Sequence, residues 1–149
     1  MTTAPFVMRC RVGTPGREPD ILHLREENFG RLRENYLDGP ADLAVEIVSP
    51  ESVRRDRIAK FTEYEAGGVG EYWIINPADR TAGFYVRDFG SSSSRRAPVE
   101  ELTEESGGVY TCAMLGGLVV NVAWLFATSL PSLAPIVRAW QAVPELNTP

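Results

Sequence analysis

Two acidic residues in β-favouring stretches are the side chains best placed to do chemistry. Glu46 stands between Val45 and Ile47 in a nearly continuous β-favouring run. A carboxylate buried there costs on the order of several kcal/mol unless it is paired or bound to a metal. Asp20 follows Pro19 at the start of a second, shorter strand-like stretch. If these two carboxylates converge, their oxygens are the ligands that a hard divalent cation prefers.

Each acid also has an ordinary structural interpretation, and the pattern alone leaves both open. Glu46 would be satisfied by an Arg in a buried ion pair, and a Pro-Asp dipeptide is common in turns. Because side chains alternate across a strand, Asp42 shares the face of Glu46. Leu43, Val45 and Ile47 form the opposite, apolar face, which we expect to belong to the core.

A lysine accompanies these acids in the helix predicted over residues 53–66. Lys60 is the only lysine among fifteen basic residues, which hints at a position that requires a compact ammonium group. Asp56, Lys60 and Tyr64 are spaced four residues apart and share one helix face. The alternative is an ordinary Asp56–Lys60 surface pair, worth about 0.3–0.5 kcal/mol.

The elements that must position these residues are those of an α/β (α+β) domain. We predict strands over residues 5–12, 21–24, 42–48, 71–75, 82–87, 109–115 and 118–122, and helices over 53–66, 124–126 and 130–143. Residues 25–37 are predicted as a short helix or an ordered excursion, and 90–96 as a flexible loop. The order strand, helix, strand over 42–75 is typical of a crossover that joins two parallel strands.

The composition excludes several classes of protein. A chain of 149 residues with 44% apolar residues and a net charge of −5 fits one ordinary globular domain, 1–149. With one histidine, His23, and two distant cysteines, Cys10 and Cys112, no Cys/His zinc cluster is available. No Walker-type phosphate loop or nucleophile elbow is present. The absence of a long apolar run or a secretory signal predicts no membrane span and a cytoplasmic location.

Taken together, four segments closely resemble the signature of one family. They are 41–52 (ADLAVEIVSPES), 55–60 (RDRIAK), Tyr64, and 68–77 (GVGEYWIINP). This signature is similar to that of the Uma-two family of restriction endonuclease-like proteins, in the PD-(D/E)xK nuclease superfamily. The flanking segments 17–21 (REPDI) and 115–126 (LGGLVVNVAWLF) resemble the same family more weakly.

The resemblance implies a fold and an activity. The expected fold is a restriction endonuclease-like mixed β-sheet flanked by helices, with a core over about 6–128 and a C-terminal helical tail over 129–149. The N-terminal helical segment of the family is expected to be missing or short in this chain. The implied activity is metal-dependent hydrolysis of phosphodiester bonds in DNA.

The resemblance also implies a set of site residues. Asp20 and Glu46 would hold one or two Mg²⁺ ions, for which Mn²⁺ can substitute, and the main-chain carbonyl of Ile47 would be a further ligand. Asp42 is an additional candidate ligand. The motif's lysine position holds Val48, so Lys60 from the following helix is the candidate for the catalytic lysine.

Two further expectations concern partners. Basic residues near the predicted helix start and on the Ser-rich loop could contact DNA phosphates: Arg54, Arg55, Arg57, Arg95 and Arg96. Their alternative is a solvated basic face. A homo-oligomer, most simply a dimer, is expected to cover the part of the sheet that the shortened N-terminus exposes. Because Val48 replaces the motif's lysine, the alternative function is an inactive family member that binds nucleic acid or protein, or oligomerises.

Overall fold

A five-stranded mixed sheet forms the centre of the molecule. The computed structural model describes residues 6–10, 16–48, 62–87, 97–129 and 131–141, with the backbone alone at 97–101. In chain order the described elements are β1 (Val7–Arg9), β2 (Ile21–His23), a 3-10 helix (Glu26–Arg31), β3 (Tyr36–Asp38), β4 (Leu43–Ile47), α1 (62–67), β5 (Glu71–Asn76), β6 (Thr81–Val86), β7 (Ala97–Thr103), β8 (Val109–Cys112), a 3-10 turn (Ala113–Leu115), β9 (Leu118–Asn121), α2 (Val122–Leu125) and α3 (Leu133–Gln141).

The central sheet has the strand order β2-β4-β5-β6-β7. Strands β4 and β5 pair in parallel, and every other neighbouring pair in this sheet is antiparallel. Two small pairs lie beside it: β1 with β3, parallel, and β8 with β9, antiparallel. The predicted mixed sheet and the predicted parallel pairing across 42–75 are therefore confirmed.

Both faces of the sheet are covered, which explains why β4 and β5 consist almost entirely of apolar residues. On one face Leu43 and Val45 pack with Trp73, and strands β8 and β9 and helix α2 contribute the covering side chains. On the other face Ala44 and Tyr72 pack with Tyr64 of α1. The predicted alternation along β4 is confirmed, because its odd and even positions face different cores.

Helix α1 ends in a glycine turn that fixes its last residues. Gly68 has a φ of +90°, a conformation that glycine adopts without steric cost. The backbone N–H groups of Gly68 and Val69 both donate to the carbonyl of Tyr64, at 3.1 and 3.2 Å. The turn therefore holds Tyr64 at the end of the helix, above the sheet.

Several sequence predictions need correction. Residues 25–37 form a 3-10 helix and then the unpredicted strand β3, which pairs with β1 far away in the chain. Strand β7 was also not predicted. Ile47 was expected in the core but is 48% exposed, because it is the last residue of β4 and extends past the covering elements. The predicted helix is described only from residue 62, and the loop 90–96 lies outside the described residues.

Candidate active site

Asp20 and Glu46 are both adjacent to the antiparallel pairing of β2 with β4. Strand β2 pairs antiparallel with β4, with Ile21 opposite Val45. Continuing this register by one residue places Asp20 opposite Glu46. Residues opposite each other in an antiparallel pair have Cα atoms about 4.5–5.5 Å apart and project to the same face. The register of β2 on β4 therefore directs Asp20 towards the end of β4 that carries Glu46.

Asp20 is attached directly to the end of β4. Its Oδ2 atom accepts a hydrogen bond from the backbone N–H of Ile47 at 2.7 Å. Within a strand the N–H and C=O of one residue point to the same edge. The carbonyl of Ile47 therefore lies on the edge of β4 where the Asp20 carboxylate is bound, next to Glu46 in the chain.

Glu46 is almost completely buried, and a hydrogen bond joins its side chain to helix α1. Its side chain is 6% exposed. The hydroxyl of Tyr64 donates to Glu46 Oε1 at 2.5 Å. Burial, and next the hydrogen bond to Glu46, raise the pKa of Tyr64 far above its ordinary value of 10.0. The phenol therefore remains a proton donor throughout the neutral pH range.

Asp42 lies at the other end of β4. Four residues of extended chain separate it from Glu46, which corresponds to about 13 Å. Its two carboxylate oxygens accept hydrogen bonds from the backbone N–H of Arg25 and from Asn28 Nδ2, both at 2.8 Å. The structure therefore does not bring Asp42 to Asp20 and Glu46, and its contacts tie it to the start of the 3-10 helix.

A cleft of about 430 Å³ opens at that distant end of the strand. Three arginines line it, Arg25, Arg31 and Arg87, together with Asp42 and a wall that includes Gly68. Arg25 forms an ion pair with Glu27, and Arg31 Nη1 donates to the carbonyl of Pro40 at 3.0 Å. This cleft is separate from the Asp20–Glu46 pair.

The remaining predicted site residues lie outside the described residues. They are the catalytic candidate Lys60 and the predicted phosphate contacts Arg54, Arg55, Arg57, Arg95 and Arg96. Val48, at the motif's lysine position, packs against the core that contains Tyr64, and its N–H donates to the carbonyl of Ile75 at 2.8 Å. An apolar side chain thus suits the local packing at position 48.

The donors at the carboxyl end of β4 fit a hard divalent cation. They comprise two carboxylates and the Ile47 carbonyl, all oxygen ligands, and Mg²⁺ commonly binds through one or two carboxylates while keeping several waters. Across the described ranges, no three His, Cys, Asp or Glu side chains come together as a complete metal cluster. A cation here would therefore depend on the two acids, backbone oxygen and water or substrate.

A second buried glutamate was not identified from the sequence. Glu71, at the start of β5, is fully buried, and its Oε1 atom accepts hydrogen bonds from Trp73 Nε1 and the Tyr110 hydroxyl, each at 2.6 Å. Among the described residues, its Oε2 atom has no hydrogen-bond partner. Burial first, and the Glu71 carboxylate second, raise the pKa of Tyr110, and the same two causes raise the pKa of Cys112 to about 12. The sequence did contain a signal for this residue, because Glu71 is an acid in the β-favouring run 71–75.

The comparison with solved structures defines the class of fold. The chain is similar to the crystal structure of a "putative nuclease belonging to DUF820" from Anabaena variabilis ATCC 29413, with a TM-score of 0.60 and 17% sequence identity. The match covers 82% of this chain and 65% of that chain, so this chain spans about two thirds of its neighbour's length. The predicted restriction endonuclease-like fold is confirmed.

The family follows from the sequence model that matches. The model of the Uma2 family, described as "Putative restriction endonuclease", matches residues 3–113, and the chain therefore belongs to this family. The match includes Asp20, Glu46 and Tyr64. No curated protein matches the chain.

One expectation concerned membranes. Among the helices in the described parts of the chain, none is long and apolar enough to cross a bilayer.

Proposed function

We propose that this protein is a divalent-metal-dependent nuclease that hydrolyses phosphodiester bonds of DNA. The observation that carries the proposal is the hydrogen bond between Asp20 and the end of β4. The Asp20 carboxylate is hydrogen-bonded to the backbone of Ile47, and Ile47 directly follows the buried Glu46. Membership of a family described as restriction endonucleases supports a nucleic acid as the substrate.

In this proposal Asp20, Glu46 and the Ile47 carbonyl hold Mg²⁺, with Mn²⁺ as a substitute. When bound, such an ion lowers the pKa of an attacking water and neutralises charge on the phosphate. Asp20 is exposed and therefore accessible to substrate, whereas Glu46 is anchored in the core. The protein thus supplies one carboxylate from the surface and one from a rigid interior position.

Lys60 completes the proposed site. In the sequence Lys60 stands four residues before Tyr64, the spacing of neighbouring turns in a helix, and the Tyr64 hydroxyl donates to Glu46. An ammonium group at that position would stabilise the phosphate oxygens or orient the attacking water. Arg54, Arg55, Arg57, Arg95 and Arg96 remain the proposed contacts for the DNA backbone, and a homodimer remains the proposed assembly.

The experiment is cleavage of supercoiled plasmid DNA in Mg²⁺ and in Mn²⁺. Glu46→Gln keeps an oxygen that can accept from Tyr64 but removes a charged ligand, so we expect the cleavage rate to fall by about 100-fold or more. The matched control is Glu71→Gln, which makes the same substitution at a second buried glutamate of the described sheet residues and should leave cleavage unchanged. Equal losses in both variants, or no loss in Glu46→Gln, would contradict the proposed site.

The second candidate is an inactive family member that binds nucleic acid. The observation that favours it is Val48, which stands at the motif's lysine position and packs into the core. Wild-type protein that binds DNA but cuts it in neither ion would support this second candidate over the nuclease.

A further inference from the structure

Tyr64 is held in place at both its side chain and its backbone, unlike a helical residue that faces solvent. Its side chain is fully buried, and its ring lies against the ring of Tyr72 with centroids 4.8 Å apart. Its backbone carbonyl accepts hydrogen bonds from the glycine turn that ends α1. Both ends of the residue are therefore fixed, and its hydroxyl is a donor with little freedom to move.

This rigid donor is bonded to one side chain of the proposed site. The Tyr64 hydroxyl meets Glu46 Oε1 at 2.5 Å in the buried space between α1 and the sheet. A glutamate side chain has three rotatable bonds, and ordering them at the moment of cation binding costs conformational entropy. A fixed hydrogen bond removes part of that freedom beforehand. Outer partners of this kind commonly orient carboxylates that bind metals.

We propose that Tyr64 is a positioning residue: its hydroxyl holds the Glu46 carboxylate in the orientation in which Glu46 and Asp20 bind one divalent cation. This inference rests on the proposed function, since it assumes that the cation binds at Glu46. Tyr64 does not contact the reacting groups in this scheme. Its effect is on how tightly the two carboxylates bind the ion.

The fold provides a matched control for this inference. Tyr110 also donates its hydroxyl to a buried glutamate, Glu71, at 2.6 Å, but on the opposite face of the sheet and near the other end of the strands. Tyr64→Phe and Tyr110→Phe each remove one buried tyrosine–glutamate hydrogen bond. Only the first of these bonds involves the proposed site.

The test measures the affinity of the full chain for Mn²⁺, by electron paramagnetic resonance of the free ion, with folding verified by circular dichroism. We expect Tyr64→Phe to weaken Mn²⁺ binding by about tenfold or more, a typical effect of removing an outer partner of a metal ligand. Tyr110→Phe should bind Mn²⁺ as the wild type does. If Tyr64→Phe fails to fold, 4-fluorophenylalanine at position 64 provides the same comparison, because it fills the space without donating.

The outcomes separate this inference from the proposed function. Wild-type protein that does not bind Mn²⁺, or a Glu46→Gln variant that binds it as tightly as the wild type, overturns the proposed metal site itself. If Glu46→Gln weakens binding while Tyr64→Phe binds within twofold of the wild type, the metal site stands and the positioning role is overturned. Equal weakening in Tyr64→Phe and Tyr110→Phe also overturns it, since the effect would then follow from general loss of packing.

Discussion

Among the side chains of the central sheet that the structure describes, two glutamates are buried and each is bonded to a tyrosine hydroxyl, but they differ in what surrounds them. Glu71 pairs with Leu43 at the beginning of the parallel strands β4 and β5. Trp73, Tyr110 and the apolar core enclose its side chain. Glu46 is level with Ile74 near the carboxyl end, where the strand leaves the core. There the exposed Asp20 binds the backbone of the next residue.

This difference shows that a buried acid in a strand is not by itself a sign of a metal site. Glu71 is the more deeply buried of the two, and both of its described hydrogen bonds come from the core. Glu46 directly precedes Ile47, whose N–H donates to the exposed Asp20 carboxylate, whereas no such exposed acid is described at Glu71. We therefore assign a structural role to Glu71 and the proposed catalytic role to Glu46.

The largest expected effect is on stability at Glu71. Glu71→Ala leaves the Trp73 N–H and the Tyr110 hydroxyl buried without an acceptor and opens a cavity. We expect it to lower the free energy of unfolding by about 3–5 kcal/mol. Chemical denaturation monitored by tryptophan fluorescence measures this change. A loss below about 1 kcal/mol would show that the two donors find other partners and that Glu71 does not hold this core together.

The control for that experiment is Glu71→Gln. The amide oxygen can still accept from Trp73 and Tyr110, so we expect the free energy of unfolding to change by less than about 1 kcal/mol. If the amide destabilises the protein as much as alanine does, the charge at position 71 matters, and the structural contrast with Glu46 becomes weaker.

A smaller effect is expected at alkaline pH, in the region around Glu71. Burial, and second the Glu71 carboxylate, raise the pKa of Cys112 from 9.0 to about 12. The native state therefore retains the thiol proton more tightly than the unfolded chain does. The contribution of the Cys112 thiol to the free energy of unfolding is complete below about pH 9 and is lost as the pH rises through 12.

Cys112→Ala isolates this contribution. Between pH 9 and 12 the unfolding of the wild type should release up to about one proton more than that of the variant, so the stability of the wild type should fall more steeply. Denaturation curves at several pH values give the two slopes. Identical slopes would mean that the thiol does not titrate differently in the folded protein.

The sequence predicted the part of the fold whose signals are local. The run around Glu46 favours a strand, and the predicted helix that follows ends in glycines before β5, so the parallel pairing of β4 with β5 could be predicted and is confirmed. Strand β3 could not be predicted, because three residues become a strand only by pairing with β1, about thirty positions away. Strand β7 is polar in sequence, VEEL over 99–102, which is typical of the edge position it occupies.

The candidate site was predictable to a similar extent. Strand alternation predicted Asp42 and Glu46 on one face, but Asp42 precedes the first residue of β4, and the four-residue spacing puts about 13 Å between the two acids. The pairing of Asp20 with the end of β4 follows from the register of β2, which no local pattern encodes. Tyr64 was assigned to a helix face, yet its bond to Glu46 depends on how the helix docks on the sheet.

The measurement that tests the central claim most directly is a crystal structure of the protein soaked in Mn²⁺, with the ion located by its anomalous scattering. We expect a peak that is coordinated by carboxylate oxygens of both Asp20 and Glu46, with the Ile47 carbonyl as a further ligand. A fully occupied Mn²⁺ site elsewhere, or carboxylates at Asp20 and Glu46 that share no ion in a saturated crystal, would contradict it.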